Sequence, residues 1–189
     1  MDERLALLLH PVRLRLVHAL RAGGRLTTGD LCGRLPDLPK ATVYRQVERL
    51  TRGGVFEVDS ERKVRGVVER TYCLAPDGGA VSVEDARAMT AEDHRRGFTA
   101  AMAALMADFG AYLDRDDARP VDDAVSYRQF VVWLTPDERS RLIGELGRIV
   151  LSLTRNTADD ARAPYLLSTI FFPAGPGDWE ADRRLAKPG

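Results

Sequence analysis

The chain has 189 residues, 44% of them hydrophobic, which is enough for one globular domain or two small ones with a real core. No apolar run approaches the roughly 20 residues of a bilayer-spanning helix, and the opening "MDERLALLLHPVRLRL" begins with acids and soon meets Pro11, unlike a secretory signal; the expected location is the cytoplasm. The formal net charge of zero conceals a basic half and an acidic half: residues 1–74 hold 14 Lys+Arg against 9 Asp+Glu, and the remainder holds 14 against 19, a hint of a polyanionic partner.

The first helical pattern runs from about Glu3 to Arg21, with Leu5, Leu8, Leu9, Val12, Leu16, Val17 and Leu20 at three- and four-residue steps. Pro11 predicts a kink or a fresh start, because proline is tolerated in a first turn but not inside a helix. "AGG" stops the pattern. In "RLTTGDLCGRL" a short extended piece leads into a brief helix, with Thr27 as cap and Asp30 three residues later. "PDLPK" breaks that helix and "KATVYRQVERL" starts another, which ends at Gly53 and Gly54. A short helix, a turn and a second helix with exposed donors is the shape of a helix-turn-helix. "VFEVDS" and "GVVERTYCL" then read as two strands joined through the charged stretch "ERKVR", the pattern of an exposed hairpin.

The segments "LLLHPVRLRLVHAL", "LPKATVYRQVERLTRGGVFEV" and "RGVVERTYCL", in that order, resemble the first helix, recognition helix and wing of bacterial ArsR-like winged helix-turn-helix regulators. The resemblance covers about residues 3–74. It implies a mainly α fold with small β elements, in which a winged helix-turn-helix of residues 1–75 binds DNA. A C-terminal helical or α+β dimerisation and effector region of residues 82–175 follows, then a tail of residues 176–189.

On the second helix, about residues 40–52, Val43, Val47 and Leu50 fall within one 60° sector and face the protein, while Arg45, Glu48, Arg49 and Arg52 lie opposite. In a major groove Arg45 is placed to reach a guanine edge with its fork. Lys40 and Thr42 suit phosphates, and Tyr44 suits a phosphate or a thymine methyl. Glu48 is either a cytosine reader or a partner that holds Arg45 or Arg52; the plainer alternative for the whole segment is a surface helix with a Glu48–Arg52 pair. Arg62, Lys63 and Arg65, at the tip of a wing spanning about residues 59–67, would sit over the flanking backbone or minor groove, with Gly66 permitting the turn.

Beyond "LAPDGGAVS" the chain turns acidic and Ala-rich, which places a boundary near residues 75–82. Thr90 and Asp93 form a second capping box for a helix to about Leu113. Along it, Phe98, Met102, Leu105, Phe109 and Tyr112 step by four, three, four and three, a coiled-coil seam suited to dimerisation. "SYRQFVVWL" reads as a strand, Thr135, Pro136 and Glu138 start a further helix, and "PYLLSTIFFPA" reads as a second strand that pairs with the first. The aromatics Tyr127, Phe130, Trp133, Tyr165, Phe171 and Phe172 are candidates to line a pocket for an unidentified small-molecule effector.

Many ArsR-like proteins sense metals through two cysteines separated by one residue. Here Cys32 matches the first position but Arg34 occupies the second, so no metal is expected. No nucleophile elbow, P-loop or His–Cys pair appears, and Asp93 and His94, adjacent on a helix, point about 100° apart. Neither catalysis nor a cofactor is expected. The sequence therefore reads as a homodimeric repressor that binds double-stranded DNA at a pseudo-palindromic operator. The competing reading is a winged-helix interaction module that uses Arg45 and Arg49 on an acidic protein.

Overall fold

The computed structural model describes residues 3–64, 66–76, 78, 82–156, 159 and 161–174. Two short helices open the chain, α1 (Glu3–Leu8) and α2 (Pro11–Gly23), and Pro11 begins a new helix instead of bending a continuous one. Gly24 ends α2 with φ +74°, a conformation that favours glycine. Strand β1 (Leu26–Thr27) leads into α3 (Thr28–Arg34), whose start is a complete capping box. Asp30 N–H donates to Thr27 Oγ1 (3.1 Å) and Thr27 N–H donates to the Asp30 carboxylate (2.8 Å).

After a five-residue turn comes α4 (Lys40–Arg52), followed by strands β2 (Phe56–Val64) and β3 (Val67–Leu74). The three strands form an antiparallel sheet in the order β1-β3-β2, with Leu26 opposite Tyr72 and Phe56 opposite Leu74. The fold is thus a helix-turn-helix followed by a two-stranded wing. Its core is one cluster in which Leu16, Leu20, Leu31, Val43, Leu50 and Phe56 are almost wholly removed from water. Tyr72 joins the cluster from beneath the wing.

The wing differs from its sequence reading in one respect. The charged stretch does not form a loop: Glu61, Arg62 and Lys63 lie in β2, opposite Arg70, Glu69 and Val68. The charges do not break the strand because both of its faces are exposed there and Glu61 and Arg62 stand opposite partners of the other sign. Arg62 bonds Glu69 (3.1 Å) and Arg70 bonds Glu61 (2.7 Å). The turn is confined to the residues around Gly66, whose φ of +85° explains the glycine.

A six-residue helix, α5 (Val83–Ala88), capped by Ser82, precedes α6 (Ala91–Leu113); α5 was not apparent in the sequence. Helix α6 starts with the expected capping box, Thr90 with Asp93, and packs along α2 through its small residues. Ala100 and Ala104 are buried, and a Cβ on Gly97 would come within 3.1 Å of the Leu9 side chain.

The chain divides into two compact units, Met1–Ala124 and Val125–Gly189, so residues 75–82 lie within the first. The second contains α7 (Pro136–Leu153), with the capping box of Thr135 and Glu138 and Pro136 at its first position. The two strands expected on either side of α7 are absent: residues 127–134 and 164–174 carry no strand pairing. Each would have only the other to pair with, and an isolated two-stranded pair is marginal without a further strand or a packed face. Helix α7 buries no residue in this unit and supplies no such face. The expected tail, residues 176–189, lies outside the described residues.

Candidate nucleic-acid interface

Helix α4 is strongly amphipathic, with Val43, Gln46, Val47 and Leu50 buried. Gln46 completes the inward stripe at the spacing of three from Val43 and four to Leu50, a place the apolar pattern alone does not reveal. Arg45, Glu48, Arg49 and Arg52 are exposed, and Arg52 bonds Glu48 at 2.6 Å, four residues away. In this pairing Glu48 is the partner of Arg52 and not of Arg45. The side chains of Lys40, Arg45 and Arg49 make no hydrogen bond or ion pair among the described residues, whereas Arg25, Arg52, Arg62 and Arg70 each face a carboxylate.

The two flanks of α4 differ. One carries Tyr44, Thr51 and Glu48 and borders an open cleft of about 560 Å³, closed on the far side by Thr28, Arg70 and Tyr72. Tyr44 is 57% exposed there. The other flank carries Thr42 and Arg49 and faces the start of α2, where His10 and Arg13 lie. Arg70, Thr28, His10 and Arg13 had no part in the sequence reading of the interface. All four come from elements other than α4, and no periodicity within one helix points to them.

On the wing, Lys63 is exposed and unpaired among the described residues, while Arg62 is engaged with Glu69. Arg65 lies outside the described residues. Sequence reading thus gathered Lys40, Thr42, Tyr44, Arg45 and Arg49 on one helix, and the structure sets Arg62 and Lys63 along β2 beside it, not in a loop.

Residues 8–59 match a family model described as a helix-turn-helix domain. The match spans α2 to the first part of β2 and therefore includes the whole of α3, the turn and α4. Comparison with the curated proteins found no match.

The turn of this helix-turn-helix is anchored from behind. Arg15, 3% exposed on α2, donates from Nη1 and Nη2 to the two oxygens of Asp37 (2.5 and 2.9 Å) and from Nε to Asp108 on α6 (2.6 Å). His18 Nδ1 stands 3.1 Å from the other Asp108 oxygen. Hydrogen bonds from Arg15 hold the Asp37 carboxyl below its ordinary value. Burial alone would raise Asp108, but the bonds from His18 and Arg15 win and lower it. The turn that sets the angle between α3 and α4 is thereby tied to α6.

The seam on α6 is turned away from α2. Phe98 is 51% and Phe109 38% exposed, and Met102, Leu105 and Tyr112 are partly buried. Phe109 stacks on Tyr112 at 6.0 Å, and Tyr112 donates to Asp123 at 2.6 Å. The six aromatics considered for an effector pocket, Tyr127, Phe130, Trp133, Tyr165, Phe171 and Phe172, are each at least half exposed, so within one chain they do not enclose a cavity. Cys32 and Cys73 are free, partly buried thiols, and among the described residues no group of three His, Cys, Asp or Glu side chains converges to hold a metal. No helix among the described residues is long and apolar enough to cross a membrane.

Proposed function

We propose that this protein is a sequence-specific DNA-binding transcriptional regulator, an ArsR-like repressor that acts as a homodimer on a pseudo-palindromic operator. The observation that carries the reading is the set of cations Lys40, Arg45 and Arg49, whose side chains have no ion pair among the described residues, on the second helix of a helix-turn-helix, while Arg52 on the same helix and Arg62 and Arg70 on the wing are paired. Cations left unpaired on a surface helix suit an external polyanion. In this reading Arg45 reads a guanine edge in the major groove, Lys40, Thr42 and Arg49 hold phosphates, Tyr44 lies against the groove wall, and Arg62, Lys63 and Arg65 flank the backbone from the wing.

The homodimer rests on the α6 seam, where Phe98 and Phe109 are exposed and Met102, Leu105 and Tyr112 partly so, joined by Met106 at 75% exposure. Two copies joined there would set two recognition helices about 34–36 Å apart, the spacing of successive major-groove faces. Residues 1–75 would then be the DNA-binding part and residues 82–175 the dimerisation part, the latter also serving an unidentified small-molecule effector.

The test is fluorescence anisotropy of the protein with duplex DNA from upstream of its own gene, against a scrambled duplex, over a salt series. The expected result is a preference for the native duplex that weakens linearly in log salt and is lost in Arg45→Ala. Equal weak binding to both duplexes at every salt concentration would overturn the reading in favour of an acidic protein partner.

A further inference from the structure

The described residues leave three buried side-chain polar atoms without a hydrogen-bond partner: His10 Nδ1, Arg13 Nε and Gln46 Oε1. Two of the three, His10 and Arg13, lie at the start of α2, which packs against α4, and Gln46 lies on the buried stripe of α4. Unpartnered buried polar atoms are rare in folded proteins, and a bound water or ion is one thing that satisfies them.

The charges at this place have one sign. Arg49 is close enough to both His10 and Arg13 to disfavour their protonated forms. His10 is lowered by burial, then by Arg13 and Arg49, and Arg13 by burial and then by Arg49. No carboxylate among the described residues makes an ion pair with any of the three. Helix α2 also starts here without a side-chain cap and with no acid in its first turn. A fold that brings two arginines and a histidine together with no counter-ion holds them at an electrostatic cost, and an external anion removes that cost. By contrast, Arg15, Arg25 and Arg70, each bonded to a carboxylate, have raised values.

We propose that His10, Arg13 and Arg49 form an oxyanion site that takes a backbone phosphate of the bound duplex, on the side of the recognition helix away from the wing. The phosphate is favoured over a protein carboxylate because Arg49 belongs to the same helix as Arg45, so one duplex can engage both. The Arg13 and Arg49 guanidinium groups supply the fork geometry suited to phosphate oxygens, and His10 supplies a ring N–H. With the wing on the opposite flank, two phosphate-binding points then bracket α4 and fix its register in the groove. The inference rests on the DNA-binding reading, and its test separates the two.

The experiment has two arms, with Arg13→Gln and Arg49→Gln variants first shown to be folded by their thermal melts. In the first, affinity for a nonspecific duplex is followed over a salt series. The slope of log affinity against log salt should fall in magnitude by about 0.9 for each phosphate that the variant no longer neutralises. The wing variant Lys63→Gln serves as a second comparison, and combining it with Arg13→Gln should reduce the slope by the sum of the two single effects. Wild-type binding with an unchanged slope in both Arg13→Gln and Arg49→Gln overturns the site and leaves the DNA reading intact. In the second arm, the His10 ring resonances are followed by NMR while inorganic phosphate replaces chloride at constant ionic strength. A saturable shift that disappears in Arg49→Gln supports the oxyanion site even if no duplex binds. If the wild type binds no duplex and His10 is also unmoved by phosphate, both the function and the site fall. A phosphate-induced shift without any DNA binding transfers the site to an acidic protein partner and overturns the assignment to a DNA phosphate.

Discussion

Arg15 and Asp108 are 93 residues apart in the chain and 2.6 Å apart in space, and the same arginine grips Asp37 in the turn before α4. Through these bonds the helix that carries Phe98 and Phe109 and the turn that positions α4 share one buried side chain. Arg15 is 3% exposed and Asp108 is largely covered. Removing the guanidinium therefore leaves a desolvated carboxylate without its partner.

Arg15→Met keeps the apolar stem and deletes the charge. It should lower stability by about 3 kcal/mol, the lower end of the cost of breaking a buried pair, because Asp37 is open to water. Urea denaturation measures this. Adding Asp108→Asn to Arg15→Met should recover part of the loss, so the double variant should be less destabilised than the sum of the two singles. Strict additivity would show that the two side chains do not act together.

Acid should release the same network. Asp37 and Asp108 both lie below their ordinary value of 3.8 in the folded chain. The unfolded chain therefore binds more protons in that range, and the stability these groups contribute is fully present above about 3.8 and lost as pH falls through their lowered folded values. Stability curves from pH 6 downward should bend below pH 4, and Asp108→Asn should flatten that bend.

His10 should impose a separate dependence at milder pH. Its folded value lies below 6.5, so the unfolded state takes up a proton first as the pH falls. The contribution of neutral His10 is present above 6.5 and declines as pH drops through the lowered folded value. Replacing His10 by Asn should reduce the rise of stability with pH across this window, as read by denaturation at pH 5, 6 and 7. An identical rise in the variant would show that His10 is not held neutral in the folded chain.

For the dimer, Phe98→Glu with Phe109→Glu places two charges on the exposed seam of α6 without touching Ala100 and Ala104, which pack inward. The wild type should sediment as a dimer, and the double variant should weaken self-association at least tenfold while keeping its helical content. An unchanged sedimentation coefficient in the variant would remove α6 from the interface.

Gly66→Val tests the wing. A β-branched residue at φ +85° is strained by roughly 1–2 kcal/mol, and the strain falls on a hairpin tip whose strands are exposed. Loss of hydrogen-exchange protection should be confined to the distal ends of β2 and β3, with salt-dependent DNA affinity reduced and the core unaffected.

Several elements were legible in the sequence because the interactions that specify them are local. Thr27 with Asp30, Thr90 with Asp93 and Thr135 with Glu138 each satisfy the first N–H groups of a helix within three residues. The spacing of Val43, Val47 and Leu50 turns the cations of α4 outward whatever surrounds the helix. The order of helix, turn, helix and hairpin was therefore readable from residues 3–74 alone, and so was the set of exposed donors on α4.

Contacts between distant residues were decided only in three dimensions. The Glu48–Arg52 pair lies within α4 and could be read from spacing, but which other arginines are neutralised depends on where carboxylates from other elements arrive: Glu69 of β3 reaches Arg62 of β2, and Asp108 crosses from α6 to Arg15. The meeting of His10 and Arg13 with Arg49 has the same origin, the crossing of α2 and α4, and no periodicity within either helix encodes it. The strand-like runs at 127–134 and 164–174 mark the opposite limit. Their composition suits a sheet, but a strand needs a partner at hydrogen-bonding distance, and the described residues of the second unit supply none. Local sequence determined the helices, their caps and the face each turns outward. Tertiary structure decided which charges are paired, because a salt bridge depends on separation in space and not on separation along the chain.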